Sequence, residues 1–462
     1  MATKDNILRM GYLAQKLVRG DRCNLLMLGD SQFAPAVEPR IAQTMLRNWD
    51  VDWRERVYYG ASSSAPSEGF QAFNFPGTSV DAGDSLPDGT TVPAGFDGAL
   101  YRSYVSNEFG SVITRLRSSN LNNYYGGNWL EGQQIAWKLA VLGGVDPVPD
   151  VRVLGRDSAG SVTAAITTNL GLTANSTWQQ VAIETHEGTD QDAQEIFLDT
   201  ANPNDETGQV FTYGAWSAGI ANKVDGLQLS SVARGGDTVS DALPVAEGGS
   251  STTESDLERV TKFNVMDAWP DVIMMNFGTN METDEANDVA GVWRSRVEAL
   301  IAWYRRLAAE NGKASPYFVL MVPWETGSSQ TRRIATQEAV RKIALSAGDV
   351  GVLDVYAEAR EQFGPWADWQ ATYLADGTHL SQAGVDPFGQ LIWNMMVVAG
   401  SETSTVHDTD PEPKRNRVYD ASGRLDVNVT PLPSQPAKPS KPPTFTYDDP
   451  YNSMPNQPFF NG

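Results

Sequence analysis

Between residues 225 and 400, short apolar runs alternate with stretches of helical period. A chain written this way folds into a parallel sheet. Each crossover needs a helix, and each strand is then buried on both faces. The runs are GLQLSSV (226–232), DVIMMNF (271–277), YFVLMV (317–322) and VGVLDV (350–355). Between the second and third, Val289, Val292, Val297, Leu300, Ile301, Tyr304 and Leu307 form one helical stripe over 285–311, and Gly312 closes it. Further helices are expected over 331–346 and up to Val398. CNLLML (23–28) is a fifth run of the same kind, far upstream, and a helix containing Ile41, Met45 and Leu46 is expected after it. The expected core is a three-layer α/β/α unit with a parallel five-stranded sheet.

Residues 60–225 have a different texture. GASSSAPSEG and FPGTSVDAGDS carry no period, and VRVL, SVTAAITT, TWQQVAIET, EIFLDT and QVFTYGAW read as short strands parted by Gly, Asn and Asp clusters. That pattern predicts an inserted β-sandwich-like module. The chain thus divides into a core in two parts, 1–59 and 226–400, an insert over 60–225 and a tail over 401–462. Read so, the insert should be removable from a soluble core. Its rings Tyr124, Tyr125, Trp129, Trp137, Trp178, Tyr213 and Trp216 are either sandwich core or platforms for sugar faces. The tail holds 11 of the 26 prolines, so it is expected to be extended rather than helical. It ends in Tyr447, Tyr451, Phe459 and Phe460, spaced as anchors for a second copy or a larger assembly.

Composition excludes several partners. Lys and Arg number 35 against 57 Asp and Glu, a formal net charge of −22. Such a chain repels phosphate backbones, and no basic run offsets it, so no nucleic-acid partner is expected. Cys23 is the only cysteine and His186, His379 and His407 are the only histidines. That leaves no intrachain disulfide and no His-rich metal site, and neither metal nor cofactor is expected. No run approaches the roughly 18 apolar residues of a membrane span. MATKDNILRMGYLAQKLVRGD lacks the apolar centre and cleavage site of a secretory signal. Ile7, Met10, Leu13 and Leu17 predict instead an amphipathic helix packed on the domain. The location is left between the cytoplasm and a virion or similar assembly.

Polar clusters follow the carboxyl ends of the predicted strands, the edge where open α/β sheets collect ligands and catalysts. Ser31 follows the first run through Gly29-Asp30, and is either a nucleophile or a helix N-cap. Gly236 follows the second, as an anion-binding N–H or a turn glycine. Asn280 follows the third, as an amide donor or a turn residue. Asp376 and His379 share one loop, and their i, i+3 spacing lets the carboxylate reach Nδ1–H while Nε2 faces outward.

In that chain order the blocks Gly29-Asp30-Ser31-Gln32, Gly235-Gly236-Asp237-Thr238, Gly278-Thr279-Asn280 and Asp376-Gly377-Thr378-His379 resemble the SGNH hydrolases, also called the GDSL lipase/esterase family. The resemblance implies a flavodoxin-like core. It implies Ser31 as nucleophile, His379 as base, Asp376 as its orienter, and Gly236, Asn280 and the Ser31 N–H as the oxyanion hole. Gln32 stands where the family often has leucine. Met281 stands where an acidic residue often follows the asparagine, and Gly235 is an alternative to Gly236. The expected function is a serine esterase that removes a small acyl group, acetyl the first candidate, from an acylated carbohydrate. The alternative is a virion or other assembly-associated attachment protein whose SGNH domain binds glycans.

Overall fold

The computed structural model describes residues 16, 21–33, 53–59, 70–71, 78–95, 99–103, 112–117, 134–145, 150–157, 159, 161–183, 193–198, 210–250, 256–327, 330–347, 349–381, 383–384, 387–392 and 394–395. The tail, the rings Tyr124, Tyr125 and Trp129, the helix at 41–46 and all but Lys16 of the N-terminal helix lie outside them.

Strand β1 (Cys23–Gly29) is central, and β13 (Leu227–Ser231) and β14 (Val272–Asn276) pair with it on either side, both parallel. Beyond β14 come β15 (Tyr317–Val322) and β16 (Val350–Asp354), again parallel. These are the five expected strands. A sixth, β2 (Trp53–Tyr59), runs parallel on the far side of β13. WRERVYY interrupts its apolar residues with charges, so its sequence does not read as a buried strand. Arg54 and Glu55 are nonetheless buried: Arg54 Nη2 donates to Asn24 Oδ1 at 2.6 Å, and Glu55 accepts from Gln228 Nε2 at 2.7 Å.

Side chains alternate between two cores, as the pleat requires. Leu25, Met27, Leu229, Met274 and Met321 pack on one face with Trp369, Phe388 and Leu391. Leu26, Leu28, Ile273, Met275 and Leu320 pack on the other with Leu300, Trp303, Val340 and Ile343. The helices are α1 (Val239–Ala242), α2 (Asp256–Val265), α3 (Thr283–Asn287), α4 (Arg294–Glu310), α5 (Gln330–Ser346), α6 (Val355–Phe363) and α7 (Trp366–Tyr373). Helices α4 and α5 cover the second face, and α6 and α7 the first. The unit is therefore a three-layer α/β/α core.

The 60–225 segment forms two sheets, and only one stands apart from the core. Strands β3 (Phe70–Gln71), β6 (Val112–Arg117), β11 (Ala193–Leu198), β8 (Asp150–Arg156) and β9 (Val162–Asn169) make a separate antiparallel sheet in that order. Strand β12 (Val210–Ile220) instead pairs with β2, β7 (Ile135–Leu142) with β12, and β10 (Trp178–Ile183) with β7. Strand β5 (Ala99–Ser103) joins the start of β12, and β4 (Thr78–Val80) joins β5. Five strands of the insert thus belong to the core sheet, joined to it through β12. The join is polar as well as apolar: Glu55 also accepts from Ser217 Oγ at 2.6 Å and pairs with Lys138 Nζ at 2.9 Å. Trp137, Tyr213 and Trp216 are buried, and the Trp137 and Trp216 rings lie 5.9 Å apart. These three are core rings rather than open platforms.

Candidate active site

The site is assembled at the carboxyl ends of β1, β13 and β14 and in the loop before residue 380. At the end of β1, Gly29 passes so close to β14 that a Cβ there would lie 2.4 Å from the Asn276 carbonyl oxygen. Only glycine fits. The Asp30 N–H then donates to that carbonyl at 3.3 Å, and the chain turns sharply. Phe33 N–H donates to the Asp30 carbonyl and Gln32 N–H to Asp30 Oδ1, both at 3.0 Å. Ser231 Oγ, at the end of β13, donates to the Phe33 carbonyl at 2.9 Å. This turn presents Ser31, whose Oγ lies 2.7 Å from His379 Nε2.

His379 sits in a loop closed by the Leu374–Leu380 bridge and by Ala375 N–H donating to the His379 carbonyl at 2.8 Å. Gly377 takes φ +83°, a left-handed conformation that side chains disfavour. Asp376 Oδ1 accepts the N–H groups of Thr378 and His379 at 2.9 and 2.8 Å, and Oδ2 lies 2.7 Å from His379 Nδ1. A carboxylate only accepts, so Nδ1 carries the proton and the Nε2 lone pair faces the Ser31 hydroxyl. Burial raises the Asp376 pKa, but the His379 N–H, the imidazole and the Thr378 N–H outweigh it and hold it at about 2. Trp324, buried at the end of β15, donates from Nε1 to the Thr378 carbonyl at 2.9 Å and so braces the loop.

Gly236 and Asn280 occupy the turns after β13 and β14, the strands that flank β1. Gly236 has φ +89° and is exposed; Asn280 is half-buried. Among the described residues, neither the Gly236 N–H nor the Asn280 amide is committed to another hydrogen bond.

Beneath Ser31 lies a buried polar layer that sequence reasoning missed. Gln32 Oε1 accepts from Asn276 Nδ2 at 2.8 Å, and both residues are almost wholly buried. A polar residue in place of leucine there is the one signal that could have marked it. Arg333 of α5 is also buried; its Nη1 donates to the Gly278 carbonyl at 2.8 Å and its Nη2 to Thr326 Oγ1 at 3.2 Å. It thereby fixes the turn that leads to Asn280.

Burial also pushes the Asp30 carboxyl up to about 6, against the opposing pull of the Gln32 N–H and the Arg333 charge. An unfolded aspartate titrates near ~3.9. A raised folded value means that stability from protonated Asp30 is full below about pH 4 and is lost as pH rises through about 6. Asp30→Asn keeps the acceptor for Gln32 N–H but carries no charge. Its melting temperature relative to wild type should therefore rise between pH 4 and pH 7. A flat difference over that range would show that folding does not raise the Asp30 pKa.

Residues 200–386 match the model of the GDSL-like lipase/acylhydrolase family. The match begins after Ser31, yet β1, which leads into Ser31, lies between two strands of the matched region. No curated protein matches the chain. Among solved structures, a family two carbohydrate esterase from Cellvibrio japonicus is similar at 9% identity, over 74% of this chain and 99% of that one, with a TM-score of 0.26. An acetylxylan esterase from Geobacillus stearothermophilus, solved as a catalytic mutant, is similar at 18% identity, over 37% of this chain and 72% of that one, with a TM-score of 0.24. The likeness to the GDSL-like lipase/acylhydrolase family is thus carried by residues 200–386, the region whose His379 and Asp376 the fold sets against Ser31.

Proposed function

We propose that the protein is a serine esterase that removes a small acyl group, acetyl first among them, from an acylated carbohydrate. The unbroken relay from Ser31 Oγ through His379 to Asp376, 2.7 Å at each step, carries this reading. Ser31 attacks the ester carbonyl while His379 Nε2 takes its proton. The tetrahedral oxyanion is received by the Gly236 and Ser31 N–H groups and the Asn280 amide. His379 then returns the proton to the departing sugar hydroxyl, and water, activated by the same imidazole, releases the acyl group from Ser31. Asp376, still ionised far below neutral pH, stabilises the imidazolium at both stages.

The names of the two structures set the first substrates to try, and neither likeness transfers its activity to this chain. Acetate release from acetylated xylan should be measured beside turnover of p-nitrophenyl acetate and octanoate. The expected result is acetate release from the polymer and at least roughly tenfold higher kcat/KM for acetate than for octanoate, since a few misfitting methylenes cost that much. Faster octanoate turnover would overturn the small-acyl reading. Ester turnover without polymer deacetylation would overturn the carbohydrate one. Asn280→Ala should lower kcat by roughly 100- to 1,000-fold with little change in KM, the usual cost of one oxyanion donor. An unchanged kcat would reduce Asn280 to a turn residue.

A further inference from the structure

The two turns that bear Gly236 and Asn280 are not neighbours in the sheet. They follow β13 and β14, and β1 lies between those strands. Two strand spacings, roughly 9–10 Å, therefore separate the strand ends, and strand pairing alone does not set one turn against the other. A carboxylate does. Glu285 of α3, five residues after Asn280, is completely buried. Its Oε1 accepts the N–H of Ser240, in α1 just beyond the Gly236 turn, at 3.2 Å. Its Oε2 accepts the Glu282 N–H at 3.0 Å, two residues after Asn280. Arg296 Nη1 of α4 lies 3.0 Å from Oε1 and also holds Glu282 and Asp284.

We propose that Glu285 is a positioning residue for the oxyanion hole, its carboxylate tying the segment that carries Asn280 to the segment that carries Gly236. The proposal rests on the reading of those two residues as oxyanion donors. A buried carboxylate is tolerated only when paired and fully hydrogen-bonded. Any parting of α1 from α3 removes an acceptor from Ser240 N–H and leaves Glu285 underpaired, so the two turns move together or not at all. Met281 supplies no acidic side chain beside Asn280; Arg333 below and Glu285 behind hold that turn instead.

The test is a double-mutant cycle on p-nitrophenyl acetate with Asn280→Ala, Glu285→Ala and the pair, each with its melting temperature. Glu285→Ala should lower kcat by roughly tenfold or more at unchanged KM. In the Asn280→Ala background the same change should cost less than about threefold, because the donor it positions is already gone. Glu285→Gln keeps an oxygen for Ser240 N–H but gives up the bond to Glu282 N–H. It should melt lower yet retain kcat within about threefold, so that kcat follows the bond to Ser240 N–H and not the melting temperature; a merely stabilising role would leave kcat unchanged in the Ala variant too. If Glu285→Ala does not fold, Glu285→Asp keeps the charge with too short a reach and should show the same kcat loss. A folded Glu285→Ala or Glu285→Asp with kcat within twofold of wild type, or multiplicative effects in the cycle, overturns the proposal. An Asn280→Ala variant with normal kcat overturns the oxyanion reading beneath it, and the proposal with it.

Discussion

Ser31→Ala should fold as the wild type does and lose ester turnover by roughly 10,000-fold or more, the scale on which a triad nucleophile acts. A fluorophosphonate should add once to the wild type, at Ser31, and not at all to the variant, as read by intact mass and peptide mapping. The size of the effect follows from the geometry. The hydroxyl already faces the imidazole at 2.7 Å, and the turn that presents it is fixed by Gln32 N–H, Phe33 N–H and Ser231 Oγ. Removing Oγ therefore removes the attacking atom and leaves its surroundings in place. An adduct on another serine, or residual turnover within tenfold of wild type, would mean that the reaction does not run through this relay.

Deleting residues 60–225 and rejoining the chain should abolish the soluble fold, contrary to what an inserted module suggests. The deletion strips β12 from β2 and leaves a row of unpaired N–H and C=O groups on an exposed edge, a template for aggregation. It also removes Ser217 and Lys138 from Glu55, which is 3% exposed. Val57 would lose Val80, Leu86, Ala140 and Ala215 from its core as well. The check is expression, light scattering and thermal unfolding of the deleted chain. A soluble monomer with one cooperative transition and normal p-nitrophenyl acetate turnover would show that β2 tolerates being an edge and that the insert is separable.

Strands β1 and β13 to β16 are legible in the amino-acid sequence because a parallel strand buried on both faces has to be a continuous apolar run. The relay is half legible: Asp376 and His379 meet within one loop, where spacing alone brings a carboxylate to an imidazole. Their partner is 348 residues away in the chain, and only the sheet order, with β1 between β13 and β14, brings Ser31 to them. The sequence alone determined which residue types stand at the strand ends.

The tertiary structure alone decided the rest. WRERVYY is a buried strand because Asn24, Gln228, Ser217 and Lys138 arrive from four other strands to satisfy Arg54 and Glu55. Gln32, Asn276, Arg333 and Glu285 read as surface or turn residues by their type, and all four are buried. A polar group's burial depends on whether its partner is present, and here Glu285 has a partner 45 positions away and the Gln32 side chain one 244 positions away. Apolar period is written locally, because the chain can bury a methyl group against almost any other. A buried charge or amide needs one particular donor or acceptor at about 3 Å, and only the folded chain decides where that partner stands.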